Sequence, residues 1–152
     1  MKIYNKLFLL LSVIALITAY ISQFIFGFIP CRLCIYERIP YFIIIILCIV
    51  SLFVKHKVVF VSICLCYIVN ALISIYHMGL EYGWFFDVLG CSSNVDLNNL
   101  SFDDIKNNLL NTNIAYCNVP SFIFLGISMA GWNFIYSMVC LLSGVCLFSK
   151  DT

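Results

Sequence analysis

Charged side chains are confined to narrow bands along this chain, and the stretches between them carry none. No Asp, Glu, Lys or Arg occurs within 7–31, 39–54, 58–80 or 107–149. A helix needs roughly 20 apolar residues to cross about 30 Å of hydrocarbon. The spans within these stretches are continuous apolar runs, whereas a membrane barrel would need short alternating strands. The composition agrees: 64% of residues are hydrophobic and 10% charged, against about 45–50% and about 25% in soluble domains. One core of this size could not bury so much apolar surface. A soluble domain and a disordered chain are excluded, and a net charge of +1 excludes a nucleic-acid binder. The expected fold is an all-α membrane protein, a single domain over 1–152 built as a four-transmembrane-helix bundle. The spans are expected near 7–29, 35–54, 58–75 and 121–148. The last run exceeds one crossing, so its N-terminal part is expected to lie at the interface or to tilt.

Lysine and arginine set the orientation. Lys2, Lys6, Lys55, Lys57 and Lys150 fall on one side of a four-span chain. Arg32, Arg38 and Lys106 fall on the other, spread over two loops. Both termini are therefore expected to be cytoplasmic, with a short outer loop near 30–34 and a long one near 76–120. The N-terminus has the start of a signal peptide, but its apolar run continues to Ile29, too long for a typical h-region, so cleavage is not expected.

The nine cysteines sort by side. Cys48, Cys64, Cys66, Cys140 and Cys146 lie within the predicted spans, where cysteine is ordinarily a small apolar filler. Cys31, Cys34, Cys91 and Cys117 all fall on the outer side. In a bacterium that side is an oxidising periplasm. Two pairs on two loops suggest Cys31–Cys34 and Cys91–Cys117, although sequence alone allows three pairings.

Cys31-Arg32-Leu33-Cys34 is a CxxC. Zinc would require four ligands to close a structural site, and Ile35 stands where haem attachment requires His. A structural bridge across so short a loop would constrain the unfolded chain little. No metal site is expected, and a redox pair is favoured. Pro30 suits a first helical position, which would place both cysteines in the first turn of the second span. Exposed backbone N–H groups and the helix dipole there favour thiolate. Arg38, four residues after Cys34, shares its helical face. The charge-free 39–54 is too short to cross alone, so the helix must borrow 35–38 and hold Arg38 at the edge of the hydrocarbon. An ionisable group there marks a functional site. The plainer readings are snorkelling or an ion pair with Glu37. Pro40 is tolerable in or near a first turn and would kink the helix further in. In the long loop, the apolar spacing of Leu97, Ile105 and Leu109, together with Ser101 before Asp104, predicts a short amphipathic helix near 102–110.

These residues resemble the DsbB family of bacterial inner-membrane disulfide-forming enzymes. The resemblance rests on Pro30-Cys31-Arg32-Leu33-Cys34-Ile35-Tyr36-Glu37-Arg38, the later pair Cys91 and Cys117, and the segment Gly126-Ile127-Ser128-Met129-Ala130-Gly131-Trp132-Asn133. It covers nearly the whole chain. It implies a quinone-dependent thiol oxidoreductase of the bacterial inner membrane. Such a protein reoxidises a periplasmic thioredoxin-like oxidase, DsbA, and passes two electrons to membrane quinone, ubiquinone or menaquinone. Carried onto this chain, Cys91 would form the mixed disulfide with the oxidase. Cys117 would exchange with Cys31 and leave Cys34 beside quinone. Arg38 and His77 would bind the quinone, with Glu81 a weaker candidate. A DsbI-like paralogue with a dedicated substrate is not separable from sequence. A vitamin K epoxide reductase-type protein would place its CxxC after the loop pair. The alternative of another class is a non-enzymatic four-span protein with structural loop disulfides, which leaves Arg38 beside a CxxC unexplained.

Overall fold

Where the sequence is free of charge, the backbone has no solvent partner in a bilayer and closes its hydrogen bonds on itself. The computed structural model describes residues 3–51, 53, 57–91 and 115–150. Its elements are α1 (Ile3–Phe24), α2 (Arg32–Tyr36), α3 (Arg38–Val50), α4 (Lys57–Glu81), β1 (Ile123–Phe124), β2 (Ile127–Ser128) and α5 (Met129–Lys150). Four helical stretches, Tyr4–Phe24, Arg32–Val50, Lys57–Glu81 and Met129–Ser149, are long and apolar enough to cross a membrane. The chain is a four-helix membrane bundle. The helix expected near 102–110 lies outside the described residues.

The helix ends differ from the sequence expectation, each for a local reason. α1 stops at Phe24 rather than near residue 29. The amides of Ile25 and Phe26 fold back onto the Ile21 carbonyl, and Gly27 takes φ +70°, the left-handed residue that turns a chain off a helix end. The second span begins at Arg32 and breaks at Glu37. Pro40, in the first turn of α3, has no N–H for the Tyr36 carbonyl and crowds it. α4 runs on to Glu81, beyond the expected end near 75, because His77 and Glu81 turn inward instead of ending the helix in water. α5 starts at Met129, and the residues before it form a two-residue hairpin. Ile123 pairs with Ser128 and Phe124 with Ile127. Leu125 and Gly126 at its tip have φ 53° and 77°, the double positive φ of a type I′ turn.

The bundle is apolar outside and partly polar inside, the reverse of a soluble protein. Leu10, Ile46, Leu65, Leu72 and Val139 face outward, while Ser12, Asn70, Ser74 and Ser137 are buried. Without a hydrophobic force between helices in lipid, packing and interhelical hydrogen bonds hold them. Ser12 and the Tyr67 hydroxyl meet at 3.0 Å, and Asn70 Nδ2 donates to Ser137 Oγ at 2.8 Å. At one end, Tyr4 packs edge-on to Phe60 and Phe148, which stack at 4.1 Å, and Asn5 donates to Ser51. These contacts gather the start of α1, the end of α3, the start of α4 and the end of α5. The opposite end carries Cys31, Cys34, His77 and the loop pair.

Candidate functional site

Cys31 has extended backbone (φ −73°, ψ 172°) and is the N-cap of α2. Pro30 therefore precedes the cap instead of occupying the first helical position. The cap role falls to the cysteine sulfur, which accepts the Cys34 N–H at 3.2 Å, as a Ser or Asp oxygen commonly does. Cys31 and Cys34 are unbonded thiols with their sulfurs 2.9 Å apart. His77 Nε2 lies 3.4 Å from the Cys31 sulfur. The Cys34 thiol, the imidazole and a backbone N–H thus converge on Cys31, and negative charge in the reduced pair settles there. The Cys34 thiol first, then His77, outweigh the cost of burial and bring Cys31 down to about 4.

Behind Cys31 stands a buried polar chain. His77 Nδ1 lies 2.9 Å from Glu37 Oε1, and Asn133 Nδ2 donates to Glu37 Oε2 at 2.9 Å. The same Asn133 amide donates to Ser74 Oγ at 2.9 Å, while its Oδ1 accepts from the Tyr41 hydroxyl at 2.6 Å. Glu81 Oε1 is 3.8 Å from His77 Nε2. Buried carboxylates persist only where partners meet them, and here α4 and α5 supply them as His77 and Asn133. The Cys31 and Cys34 sulfurs and a His77 nitrogen lie within 4.8 Å of one another, a three-member set that could hold a metal ion.

On the other side of the CxxC is a cleft of about 560 Å³ between α1, α3 and α5. Cys34, Glu37, Arg38, Phe122, Trp132 and Asn133 are among its lining residues, so the polar chain reaches the cleft wall through Glu37 and Asn133. Cys34 and Arg38 thus share one face, as their spacing predicted. Arg38 does not pair with Glu37. Its Nη1 donates to Gln23 Oε1 at 2.7 Å, and its guanidinium lies 5.0 Å from the Tyr20 ring centre. Among the described residues, Cys31 and His77 are not part of the lining. The structure places His77 against the Cys31 sulfur, behind the wall that Cys34 and Arg38 form.

Cys91 and Cys117 are disulfide-bonded, with Cα atoms 5.5 Å apart, and the Cys117 N–H donates to the Cys91 carbonyl at 2.9 Å. Both pack in one buried cluster with Cys31, Leu33 and Leu80, and Cys34 and Tyr76 lie against it. The structure therefore brings Cys31, Cys34, Cys91 and Cys117 together at one end of the bundle. Cys48, Cys64, Cys66, Cys140 and Cys146 lie elsewhere as free thiols.

Sequence reasoning missed Glu37, Asn133 and Gln23. Glu37 carried a usable signal, since an acid inside a span must find a partner. Asn133 and Gln23 carried none, because their partners are remote in the chain.

The family model described as "Disulfide bond formation protein DsbB" matches residues 2–147. An uncharacterised protein of Rickettsia prowazekii (strain Madrid E) is 34% identical over 144 residues, covering 93% of this chain and 83% of that protein. No solved structure matches the chain.

Proposed function

The chain belongs to the DsbB family of disulfide-forming oxidoreductases, and from that membership we propose that it oxidises a periplasmic DsbA-like dithiol enzyme and delivers two electrons to membrane quinone. The observation that carries this reading is the placement of the CxxC. Cys31 packs with the loop disulfide, while Cys34 and Arg38 open onto an apolar cleft on the other side. One pair of adjacent sulfurs thus links a disulfide-exchange partner to a lipid-soluble acceptor site.

The cleft suits a quinone ring. Its volume lies within the usual range of small-molecule pockets, and its walls are apolar and aromatic with few polar groups. A quinone bound there supplies a two-electron, two-proton acceptor. The residues of this chain do the rest. Cys91 is the sulfur attacked by the partner thiolate, which releases Cys117. Cys117 attacks Cys31 of the oxidised CxxC and frees Cys34, the sulfur that faces the cleft. Arg38, held by Gln23 and Tyr20, presents fixed positive charge to that face and stabilises the Cys34 thiolate while Cys31 is joined to Cys117. His77 serves the Cys31 sulfur. In this reading both termini face the cytoplasm and the cysteines face the periplasm of a bacterial inner membrane, which the lysine distribution supports. A purely structural role for the cysteines leaves Arg38, beside Cys34 on the cleft, without a purpose.

The test is quinone-dependent oxidation of a reduced periplasmic oxidase by the purified protein. The expected result is stoichiometric loss of quinone absorbance as the oxidase thiols disappear. Oxidation that proceeds equally without quinone, or not at all with it, refutes the reading.

A further inference from the structure

Glu37 is a buried carboxylate to which the exchange steps above assign no task. Its two oxygens are committed in different directions, Oε1 to His77 Nδ1 at 2.9 Å and Oε2 to Asn133 Nδ2 at 2.9 Å. His77 in turn holds its other nitrogen 3.4 Å from the Cys31 sulfur. We propose that Glu37 is a positioning residue which, held by Asn133, orients His77 as the proton acceptor of Cys31 and so makes Cys31 the leaving sulfur when the loop disulfide re-forms. The proposal rests on the relay described above.

The geometry fixes the tautomer. With the Nδ1 hydrogen donated to Glu37, a neutral imidazole presents a bare Nε2 to the Cys31 thiol and can take its proton. The result is an imidazolium between a carboxylate and a thiolate, the arrangement that activates cysteine nucleophiles generally. In the relay this matters most at one step. With Cys31 joined to Cys117, the partner's second thiolate breaks the mixed disulfide and releases Cys91 as a thiolate, which attacks Cys117. The Cys31–Cys117 bond breaks, the Cys91–Cys117 bond forms, and Cys31 departs with the electron pair as a thiolate. No outside oxidant is needed. A thiolate that is better stabilised leaves faster, so the cation facing Cys31 drives the exchange toward a restored loop disulfide and a reduced CxxC.

Other ionisable groups facing this unit have defined places. Cys34 contacts Cys31 directly. Glu81 Oε1 is 3.8 Å from Nε2, beyond hydrogen-bond reach, so the 2.9 Å contact with Glu37 sets the tautomer. Tyr41 meets Asn133 and Ser137 and not His77.

The test is the pH titration of thiolate absorbance at 240 nm in the fully reduced, full-length protein, with the signal of Cys31→Ser subtracted. Glu37→Gln is expected to raise the Cys31 midpoint by about one unit or more, the usual effect of losing a nearby opposite charge. Glu37→Asp, which keeps the charge but shortens its reach, gives a smaller rise. In a His77→Gln background, Glu37→Gln adds almost nothing, since it acts through the ring. A wild-type midpoint in Glu37→Gln overturns the proposal, and so does a full additional shift without His77. Should Glu37→Gln not fold, an unchanged midpoint in Glu37→Asp overturns it. The titration uses neither quinone nor oxidase. A protein that fails to reduce quinone yet shows these shifts sinks the quinone reading alone. Normal quinone reduction with an unshifted midpoint sinks the Glu37 proposal alone.

Discussion

Two glycines face aromatic rings at the same forbidden distance, and they should respond to alanine in opposite ways. A Cβ on Gly144 of α5 would lie 1.9 Å from Phe8 Cζ, and a Cβ on Gly79 of α4 would lie 2.0 Å from Phe85 Cδ2. Carbon atoms pack at about 3.5–4.0 Å, so each ring must move by well over an ångström. Phe8 has nowhere to go. It is 0% exposed and lies 6.1 Å from the Phe60 ring and 5.4 Å from Tyr67, centroid to centroid. Phe85 is 47% exposed and can swing outward, losing mainly its stack on Tyr76. In a helix, Gly→Ala by itself stabilises by about 0.5–1 kcal/mol. Overpacking a closed site costs about 1–3 kcal/mol. Gly144→Ala should therefore lose about 0.5–2 kcal/mol net, while Gly79→Ala should be neutral to slightly stabilising. Reversible unfolding in mixed detergent micelles, followed by circular dichroism, measures both. Phe8→Leu should relieve the Gly144→Ala penalty in a double-mutant cycle. If Gly144→Ala unfolds at or above the parent midpoint, or if Phe8→Leu fails to couple to it, the close approach of α1 and α5 is not what holds that seam.

Arg38→Lys keeps a charge but cannot both donate to Gln23 and lie flat over Tyr20; the KM for quinone should rise about tenfold, the equivalent of about 1.4 kcal/mol, and an unchanged KM removes Arg38 from the quinone site. Cys34→Ser should abolish quinone reduction while Cys48→Ser stays near wild type, and equal losses in both would point to folding damage. Replacing Cys91 and Cys117 by Ser together should block oxidation of the protein partner yet leave a small dithiol able to reduce quinone through Cys31 and Cys34; loss of both activities contradicts the order of the relay. Reduced protein should also show a pH-dependent stability that Cys31→Ser lacks. The Cys31 thiol falls from 9.0 to about 4 on folding, with its proton passed to His77. Between about 4 and about 6.5, where an unfolded histidine is itself charged, the unfolded chain binds more protons and stability rises with pH. Above that range the folded and unfolded chains bind equal numbers and the contribution is level; it is lost as the pH falls through about 4. Chemical-denaturation midpoints of the two proteins that run parallel from about pH 4 to 6.5 would contradict it.

The architecture was legible because membrane burial is a local property of sequence. Charge-free runs of crossing length predict helices wherever they fall, and lipid leaves the backbone no alternative. The CxxC and its Arg38 were legible for the same reason, since their spacing within one helix start settles which face they share. Helix ends were read less well. The third span was expected to end near 75 because His77 and Glu81 look like groups that belong in water. Their partners are Glu37, 40 positions before His77, and a ring nitrogen one helical turn away, so the helix continues through them. The same blindness led Arg38 and Glu37 to be considered as a pair. They are adjacent in sequence, but the helix break at Glu37 accompanies their separation, one side chain toward α4 and α5 and the other toward α1.

Hydropathy and spacing determined four helices in lipid, a CxxC at the start of the second, and a second cysteine pair. Packing alone decided which groups face each sulfur. Asn133 lies 96 positions from Glu37, and His77 lies 46 from Cys31. Periodicity can say which way a side chain points on its own helix. A buried polar group must still find a partner on another helix, and only the assembled bundle brings the two within hydrogen-bond reach.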